Sequence, residues 1–437
     1  MSTPVRATPR AWLMTVLVGA YASNFVDRTI VNVLQQPIKQ ELALQDWQLG
    51  LLGGTSFAIF YTLLGLYVAR LAERRDRVTI LTLCILAWSA FTALCGLVTS
   101  FMQLLLLRIG VAIGEAGATP TGHSLISDHY PVARRAGALA VFHSGNTLGS
   151  VLGALIGGFV GQAYGWRWAF VVAGVPGLAL AAIAWFTLRD PRRQAPVAAA
   201  DVPPLTEVAR LLFGKAAFRH LAFGAGLMLF GSYGVFAFVT AHFMRTFALP
   251  LAQASLIGGV GTGLVLGIGT LSGGFLAQRL AVRDRRWLVW TTAAALALAA
   301  PLCALAFTAT AVVPATILFL TMATLLGVFQ GPLFGALHSL VAPRMRATAS
   351  AILLLGITLL GLGLGPLVIG LLSDMLAARA VAGFADLCRA GTATDPRCLA
   401  ASAQGLRQAL AGCAVAFGWA ALHFALAGRT IRADMID

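Results

Sequence analysis

The sequence predicts an all-α membrane protein with twelve transmembrane helices, because its composition is strongly apolar and its apolar runs have the length of a bilayer crossing. Of its 437 residues, 59% are hydrophobic and 11% are charged, which is typical of a polytopic membrane protein. A bilayer core needs roughly 20 apolar residues for each helical crossing. Such runs, numbered here as spans 1 to 12, occur at residues 12–34, 48–71, 79–99, 102–124, 136–161, 166–188, 219–246, 253–278, 287–307, 313–339, 346–374 and 404–427.

The distribution of basic residues predicts the orientation. When the N-terminus is placed in the cytoplasm, most of the 31 Lys and Arg residues fall in cytoplasmic segments. This asymmetry follows the positive-inside rule and predicts that both termini are cytoplasmic. It also accounts for the net charge of +15, so we expect no nucleic-acid partner. Residues 1–10 lack the features of a cleaved signal peptide, and we expect span 1 to be retained.

The chain contains an internal repeat. Residues 123–126 read HSLI at the end of span 4, and residues 338–341 read HSLV at the end of span 10. The following helices also begin alike, with RAGALA at 135–140 and RATASA at 346–351. We therefore predict two six-helix halves, residues 1–188 and 219–437. The cytoplasmic linker 189–218 joins them and includes a short amphipathic piece at residues 205–213.

Four motifs connect this layout with a known family. VARLAERRDR at 68–77 resembles the signature loop of the major facilitator superfamily, and Arg108 with Gly114 resembles its arginine motif on span 4. NFVDR at 24–28 and the stretches 108–128 and 346–374 are similar to the spinster-like branch. Eukaryotic members of that branch move sphingosine-1-phosphate and lysophospholipids, and the resemblance implies a bacterial transporter of this type. The sequence departs from the superfamily at Glu73, where the loop usually has Asp.

Charged residues inside spans 1 and 4 predict the functional site. A charge at the bilayer centre costs about 2.5–3.5 kcal/mol on insertion scales, so such side chains face the bundle interior. Arg28 and Arg108 are expected to bind an acidic head group, together with Asn24 on the same stripe of span 1. Asp27 and Glu115 are expected to carry protons, which would be the coupling ion, with no other cofactor and no metal. The alternative is that the four charges only brace spans 1 and 4.

The second half has no Asp, Glu, Lys or Arg in the interiors of its spans, whereas span 7 is rich in aromatic residues such as Tyr233. A central cavity with charged residues on one side and apolar residues on the other suits a ligand with a charged head and an apolar tail. We assign Tyr233 to substrate binding, with packing or lipid contact as the alternative for each aromatic residue.

These observations predict a secondary transporter of the inner membrane that moves a lysophospholipid or sphingoid phosphate by alternating access with proton coupling. Its partners would be this lipid-like substrate and membrane lipids, and we expect a monomer. A proton-linked carrier of small hydrophilic organic anions is the alternative.

One motif points to an enzyme. His123 and Asp128 have the H-x-x-x-x-D spacing of glycerolipid acyltransferases, in which His acts as a base. The repeat argues against this reading, because His338 lies at the equivalent position without a following Asp. A membrane acyltransferase is therefore a remote alternative, and we expect no catalytic residues.

The family resemblance suggests a cytoplasmic gate. It implies that Glu73 faces the start of span 11 and that Arg77 pairs with Asp128 at the end of span 4. The alternative is that these charges only determine topology.

Two of the six cysteines, Cys388 and Cys398, lie in the same outside loop between spans 11 and 12. In an oxidising compartment they could close a disulfide.

Overall fold

The computed structural model describes residues 8–190, 204–381, 388 and 395–436, and every regular element in these ranges is helical. The helices are α1 (Arg10–Val33), α2 (Gln35–Leu42), α3 (Asp46–Gly50), α4 (Ser56–Arg74), α5 (Arg77–Cys95), α6 (Phe101–Glu115), α7 (Ala118–His129), α8 (Val132–Leu155), α9 (Gly161–Tyr164), α10 (Trp166–Thr187), α11 (Leu205–Gly214), α12 (Ala216–Phe247), α13 (Leu251–Ser255), α14 (Thr262–Ala281), α15 (Trp287–Thr308), α16 (Val312–Gly327), α17 (Gln330–Ser339), α18 (Arg346–Thr358), α19 (Gly365–Ala380) and α20 (Pro396–Asp434).

The predicted all-α membrane fold is confirmed. Within the described ranges, eleven helical stretches are long and apolar enough to cross a membrane, and they correspond to spans 2 to 12. Span 1 corresponds to α1, whose 24 residues also suffice for a crossing. Asn24, Asp27 and Arg28 lower the mean hydropathy of α1, which is why it is not among the eleven.

The chain forms two compact units. The first comprises Met1–Pro37 and Ser56–Ala199, and the second comprises Ile38–Thr55 and Ala200–Asp437. In the first unit α1 packs on α8 and α10, while α5 packs between α6 and α10. In the second unit α12 and α15 both pack on α20, and α19 packs on α3 and α20. The contact of α5 with α10 has its counterpart in that of α15 with α20, as the internal repeat implies.

The second unit includes a short segment that the predicted division placed in the first half, residues 38–55. This segment packs tightly on α19. A Cβ atom added at Gly50 would lie 2.2 Å from the carbonyl oxygen of Pro366, and one added at Gly370 would lie 2.4 Å from that of Asp46. The absence of side chains at both glycines therefore allows the two backbones to touch.

Among the residues that the structure describes, four π-helical segments interrupt the long helices, and they occur in spans 2, 5, 8 and 11. Their bounds are Leu51–Thr55, Ile156–Val160, Leu256–Gly261 and Leu359–Leu364. Each segment contains glycine. When the twelve spans are grouped in consecutive threes, each segment lies in the second span of its group. The placement thus repeats four times along the chain, at positions where π turns often mark functional sites.

A row of glycines on α8 sets the position of α1. Gly145, Gly149 and Gly153 follow one another every four residues, so they share a helix face. A Cβ atom at Gly149 would lie 2.1 Å from the carbonyl oxygen of Ala22. The glycine row therefore allows the close contact that holds the polar part of α1 in place.

The amphipathic piece predicted in the linker is helical. It forms α11, in which Val208 and Leu212 are buried while Leu205 and Phe213 are exposed.

Candidate functional site

An ion pair joins α1 to α6 inside the first unit. The Nε atom of Arg28 lies 2.8 Å from Oε2 of Glu115. Glu115 is completely buried, whereas Arg28 keeps 25% of its side chain exposed. The other carboxylate oxygen, Oε1 of Glu115, has no hydrogen-bond partner among the described residues. The pair is therefore reachable from the side of Arg28 and retains an unused acceptor.

Asp27 and Arg108 lie beside this pair and are poorly satisfied. Arg108 is 1% exposed, and its Nη1 donates a long bond of 3.4 Å to the backbone oxygen of Asp27. In the part of the chain that the structure describes, Nε of Arg108 and both carboxylate oxygens of Asp27 have no hydrogen-bond partner. Arg108 thus contacts the backbone oxygen of Asp27 and not its carboxylate.

Such unsatisfied groups are expensive, which bears on whether the four charges only brace two helices. A buried polar group left without a partner costs about 1–3 kcal/mol, and a charged one costs more. Of the four charged residues, Arg28 and Glu115 are the two that form an ion pair in the described part of the structure, so the cluster as a whole is a poor brace. Unsatisfied buried groups in a native protein call for a functional explanation.

Three aromatic rings surround the guanidinium of Arg28. Its Cζ atom lies 5.2 Å from the ring centroid of Phe25, 4.6 Å from that of Phe57 and 4.8 Å from that of Tyr61. Phe57 and Tyr61 stack on each other with centroids 5.4 Å apart. Sequence reasoning missed these rings, although Phe57 and Tyr61 are four residues apart and so share a face of α4.

The two other predicted substrate residues lie in different units. Asn24 is buried on α1, 2% exposed and one turn before Arg28. Tyr233 lies on α12 in the second unit, where it is 37% exposed and packs near Gly361. Phe238 on the same helix is fully buried, so packing explains that ring.

The predicted gate residues Arg77 and Asp128 are in contact. Nη1 of Arg77 lies 2.7 Å from Oδ2 of Asp128 and donates to Ser124 Oγ at 2.9 Å. Asp190, which sequence reasoning missed, forms a second ion pair with the same guanidinium. The signal for Asp190 was its position directly after span 6, between the basic residues Arg189 and Arg192. Glu73 lies in α4, and its side chain is outside the described part of the structure.

A second buried ionic cluster lies in the second unit, and it too was missed. Asp46 is 1% exposed and accepts hydrogen bonds from Lys39 at 2.6 Å and from both Nη atoms of Arg245 at 2.7 and 2.8 Å. Asp374 accepts the backbone N–H groups of Asp46 and Trp47, at the start of α3. Burial, reinforced by the nearby Arg245, lowers the pKa of Lys39. Arg245 and Asp374 lie at the ends of their predicted spans, whereas the sequence analysis considered charges in the span interiors of this half.

The structure contains a disulfide between Cys388 and Cys398, with Cα atoms 5.5 Å apart. The other four cysteines are buried as free thiols. Among the residues described, no three or more His, Cys, Asp or Glu side chains are grouped so that they could hold a metal ion.

The geometry does not support the acyltransferase pair. Nε2 of His123 lies 3.1 Å from Nε2 of His143, while Asp128 binds Arg77. A catalytic His would have to be available to an acceptor hydroxyl and oriented by the acid.

Comparisons with known proteins agree with the fold. The sequence profile of the Major Facilitator Superfamily matches residues 17–366. The chain is 36% identical to an MFS-type efflux pump of Mycolicibacterium smegmatis over 84% of its own length and 85% of that protein. It is 26% identical to a probable L-galactonate transporter of Escherichia coli, covering 78% of both.

A solved structure extends this agreement to the whole fold. The crystal structure of a bacterial homologue of the human lysosomal transporter Spinster, in its inward-facing and unoccupied conformation, superposes with a TM-score of 0.89. The two chains are 33% identical and cover each other completely. The predicted spinster-like resemblance is thus confirmed, and the relatives are transporters rather than enzymes. The chain is therefore a multi-pass membrane transporter that belongs to the Major Facilitator Superfamily.

Proposed function

We propose that this transporter moves an amphiphilic anion or zwitterion, of lysophospholipid or sphingoid-phosphate type, across the inner membrane by proton-coupled alternating access. The observation that carries the proposal is the ionic cluster of α1 and α6. In it Arg28 is paired with Glu115 and surrounded by rings, while Nε of Arg108 and both carboxylate oxygens of Asp27 have no hydrogen-bond partner among the described residues. A cluster with spare donors beside an ion pair is suited to exchange its partners for a charged ligand.

Arg28 and Arg108 are assigned to the acidic head. A guanidinium forms bidentate, charge-assisted hydrogen bonds with phosphate, and Nε of Arg108 has no partner in the described ranges. We assign Arg28 to the ligand through release of its Nε atom from Glu115. Asn24 lies on the same face and would add an amide, and Tyr233 is assigned to the substrate from the second unit.

The surroundings of the cluster favour an amphiphile over a sugar acid. A sugar acid carries several hydroxyl groups, and each of them loses hydrogen bonds with water unless the site replaces them. Arg28 is instead surrounded by Phe25, Phe57 and Tyr61. These rings offer few hydrogen-bonding groups to replace the water around sugar hydroxyls.

Proton coupling is assigned to Asp27 and Glu115. An ionised carboxylate is costly in an apolar interior unless it is paired and hydrogen-bonded, and Asp27 has no hydrogen-bond partner in the described part of the chain. A proton removes that cost. When a ligand anion draws Arg28 away from Glu115, the same argument applies to Glu115.

A carrier of small hydrophilic organic anions is the second candidate, and the similarity to the probable L-galactonate transporter favours it. The two arginines suit any carboxylate, so the charge cluster alone does not separate the candidates. The aromatic rings favour the lipid-like ligand. A monomer with both termini in the cytoplasm remains our expectation.

Uptake into proteoliposomes tests the proposal. Purified protein would be reconstituted, and entry of a labelled anionic lysolipid and of labelled L-galactonate would be followed against protein-free vesicles. We expect protein-dependent uptake of the lysolipid that Arg108→Lys abolishes. Uptake of galactonate without lysolipid uptake would establish the second candidate instead.

A further inference from the structure

We propose that Phe25, Phe57, Tyr61 and Glu115 form a binding site for an organic cation, and that the guanidinium of Arg28 occupies this site until the ammonium group of a zwitterionic substrate replaces it. The inference rests on the proposed function and adds to it a site for the positively charged ammonium group of the substrate. Residues that recognise this second charge determine specificity.

The first argument is geometric. Three ring centroids lie between 4.6 and 5.2 Å from Cζ of Arg28, inside the range of about 6 Å over which a cation is attracted to a ring face. Glu115 supplies the opposite charge at 2.8 Å from Nε. Rings around a cation with one carboxylate are the arrangement by which proteins bind substituted ammonium groups.

The second argument concerns the occupant. Arg28 is tethered to α1 but its side chain is 25% exposed, so the site is open on one side. Oε1 of Glu115 accepts no hydrogen bond within the described residues and can receive one from a ligand. A free cation can therefore approach, displace the guanidinium and take over Glu115.

The third argument concerns what displacement achieves. Once Arg28 leaves the rings, its guanidinium is available to the phosphate of the same ligand, which lies a few bonds from the ammonium. A purely anionic ligand removes Arg28 from Glu115 without replacing it, and a proton is then needed at Glu115. A zwitterion brings its own cation. The cation site therefore determines the coupling to protons. An anionic ligand binds together with a proton, whereas a zwitterion binds in place of the proton.

Removal of the Arg28 side chain empties the proposed cation site and allows a direct test. We would prepare Arg28→Ala and measure binding of guanidinium, tetramethylammonium and ammonium chloride by thermal stabilisation in detergent, with sodium chloride as the ionic-strength control. We expect guanidinium and tetramethylammonium to stabilise Arg28→Ala but not the wild type, whose site is filled. Ammonium should act more weakly, because it is more strongly hydrated. No stabilisation of Arg28→Ala by any cation would overturn the proposal.

Two substitutions of Tyr61 test whether the rings contribute to cation binding. In the Arg28→Ala background, Tyr61→Phe keeps a ring and should preserve binding, whereas Tyr61→Leu should weaken it by about threefold to tenfold, as expected for loss of one cation–ring contact. Phe186→Leu, at a ring that is 74% exposed, serves as the control for loss of an aromatic residue elsewhere. Equal weakening by all three would overturn the assignment of the rings.

A further comparison covers the case in which Arg28→Ala does not fold because Glu115 loses its partner. Tyr61→Leu and Tyr61→Phe in the otherwise unchanged protein would be compared in transport of a zwitterionic and an anionic lysolipid. We expect Tyr61→Leu to raise the KM of the zwitterion alone. An equal change for both ligands would contradict the cation site while leaving lysolipid transport intact, and absence of all lysolipid transport would contradict the proposed function itself.

Discussion

Asp190 accepts a 2.7 Å hydrogen bond from the backbone N–H of Arg77 and also binds the guanidinium of that residue. The start of α5 is thereby fixed to the segment that follows α10. The predicted partner, Asp128, binds the same guanidinium from α7. Arg77 is 1% exposed, and both acids balance its charge.

The two acids should differ in their effect on stability. Asp190 is 2% exposed and Asp128 is 23% exposed, so Asp190→Asn should cost more than Asp128→Asn. Removing one partner of a buried pair typically costs about 3–5 kcal/mol, and a solvated pair contributes about 1 kcal/mol or less. Thermal unfolding of the two purified variants measures the difference. Equal melting temperatures would show that Asp190 is not the stronger partner of Arg77.

The head-group assignment predicts that Arg108→Lys folds but loses transport. Lysine cannot reproduce the planar fork of donors, and a lost bidentate contact should lower lysolipid uptake on the order of tenfold or more. Arg28→Lys should behave in the same way. Uptake and melting temperature would be measured together, with Arg10→Lys as the control at an arginine that binds a backbone carbonyl. Normal uptake in both variants would refute the assignment.

Glu115→Gln separates the two classes of ligand by pH. With an anionic lysolipid, wild-type affinity should improve as the pH falls from about 8 to 5, where a carboxylate displaced from its cation takes up a proton. The variant, which cannot titrate, should lose this dependence. With a zwitterion, Glu115→Gln should instead weaken binding at every pH. Affinity that is flat with pH in the wild type would exclude proton coupling through Glu115.

The glycine row predicts a matched pair on α8. A Cβ atom at Gly149 would overlap the carbonyl oxygen of Ala22, whereas one at Gly137 would meet nothing within 4 Å. Gly149→Ala should therefore displace α1 and cost about 1–3 kcal/mol, as overpacking does. Gly137→Ala should be neutral or stabilise the protein by up to about 1 kcal/mol. Thermal unfolding and lysolipid uptake, measured on both variants, should both be impaired by Gly149→Ala alone.

The buried cluster around Asp46 predicts a partial rescue. Arg245→Met leaves Asp46 with Lys39 and Ser373 as partners, so its cost should be near the lower end of the about 3–5 kcal/mol seen when a buried pair is broken. Adding Asp46→Asn removes the uncompensated charge and should recover part of the loss. A double-mutant cycle by thermal unfolding checks this, and strictly additive losses would show that the two residues are not coupled.

The sequence by itself determined the membrane fold, the repeat and the residues of the ionic cluster. Apolar runs of bilayer length leave few alternatives to helices, and a charge in such a run is rare enough to mark a functional residue. Arg28, Glu115 and Arg108 could therefore be identified without a structure. The Arg77–Asp128 contact came from the family resemblance, and the structure shows that pair together.

Element ends were less predictable than element positions. Span 12 was predicted at residues 404–427, yet α20 extends over Pro396–Asp434. Span 4 is divided between α6 and α7. Apolar content reports the part of a helix that lipid surrounds, whereas helical hydrogen bonding continues into polar residues and is interrupted by local backbone geometry.

The tertiary structure alone decided which charges meet. Asp27 and Arg28 are neighbours in sequence, but only Arg28 pairs with Glu115, because the face that each residue presents depends on how α1 lies against α6. Close contacts between α1 and α8, such as the one at Gly149, help to set the position of α1. Two of the three rings around Arg28, Phe57 and Tyr61, come from another helix, α4. Asp46 and Arg245 are 199 residues apart. Composition and periodicity describe one helix at a time, whereas an ion pair depends on the distance between two helices, which packing determines.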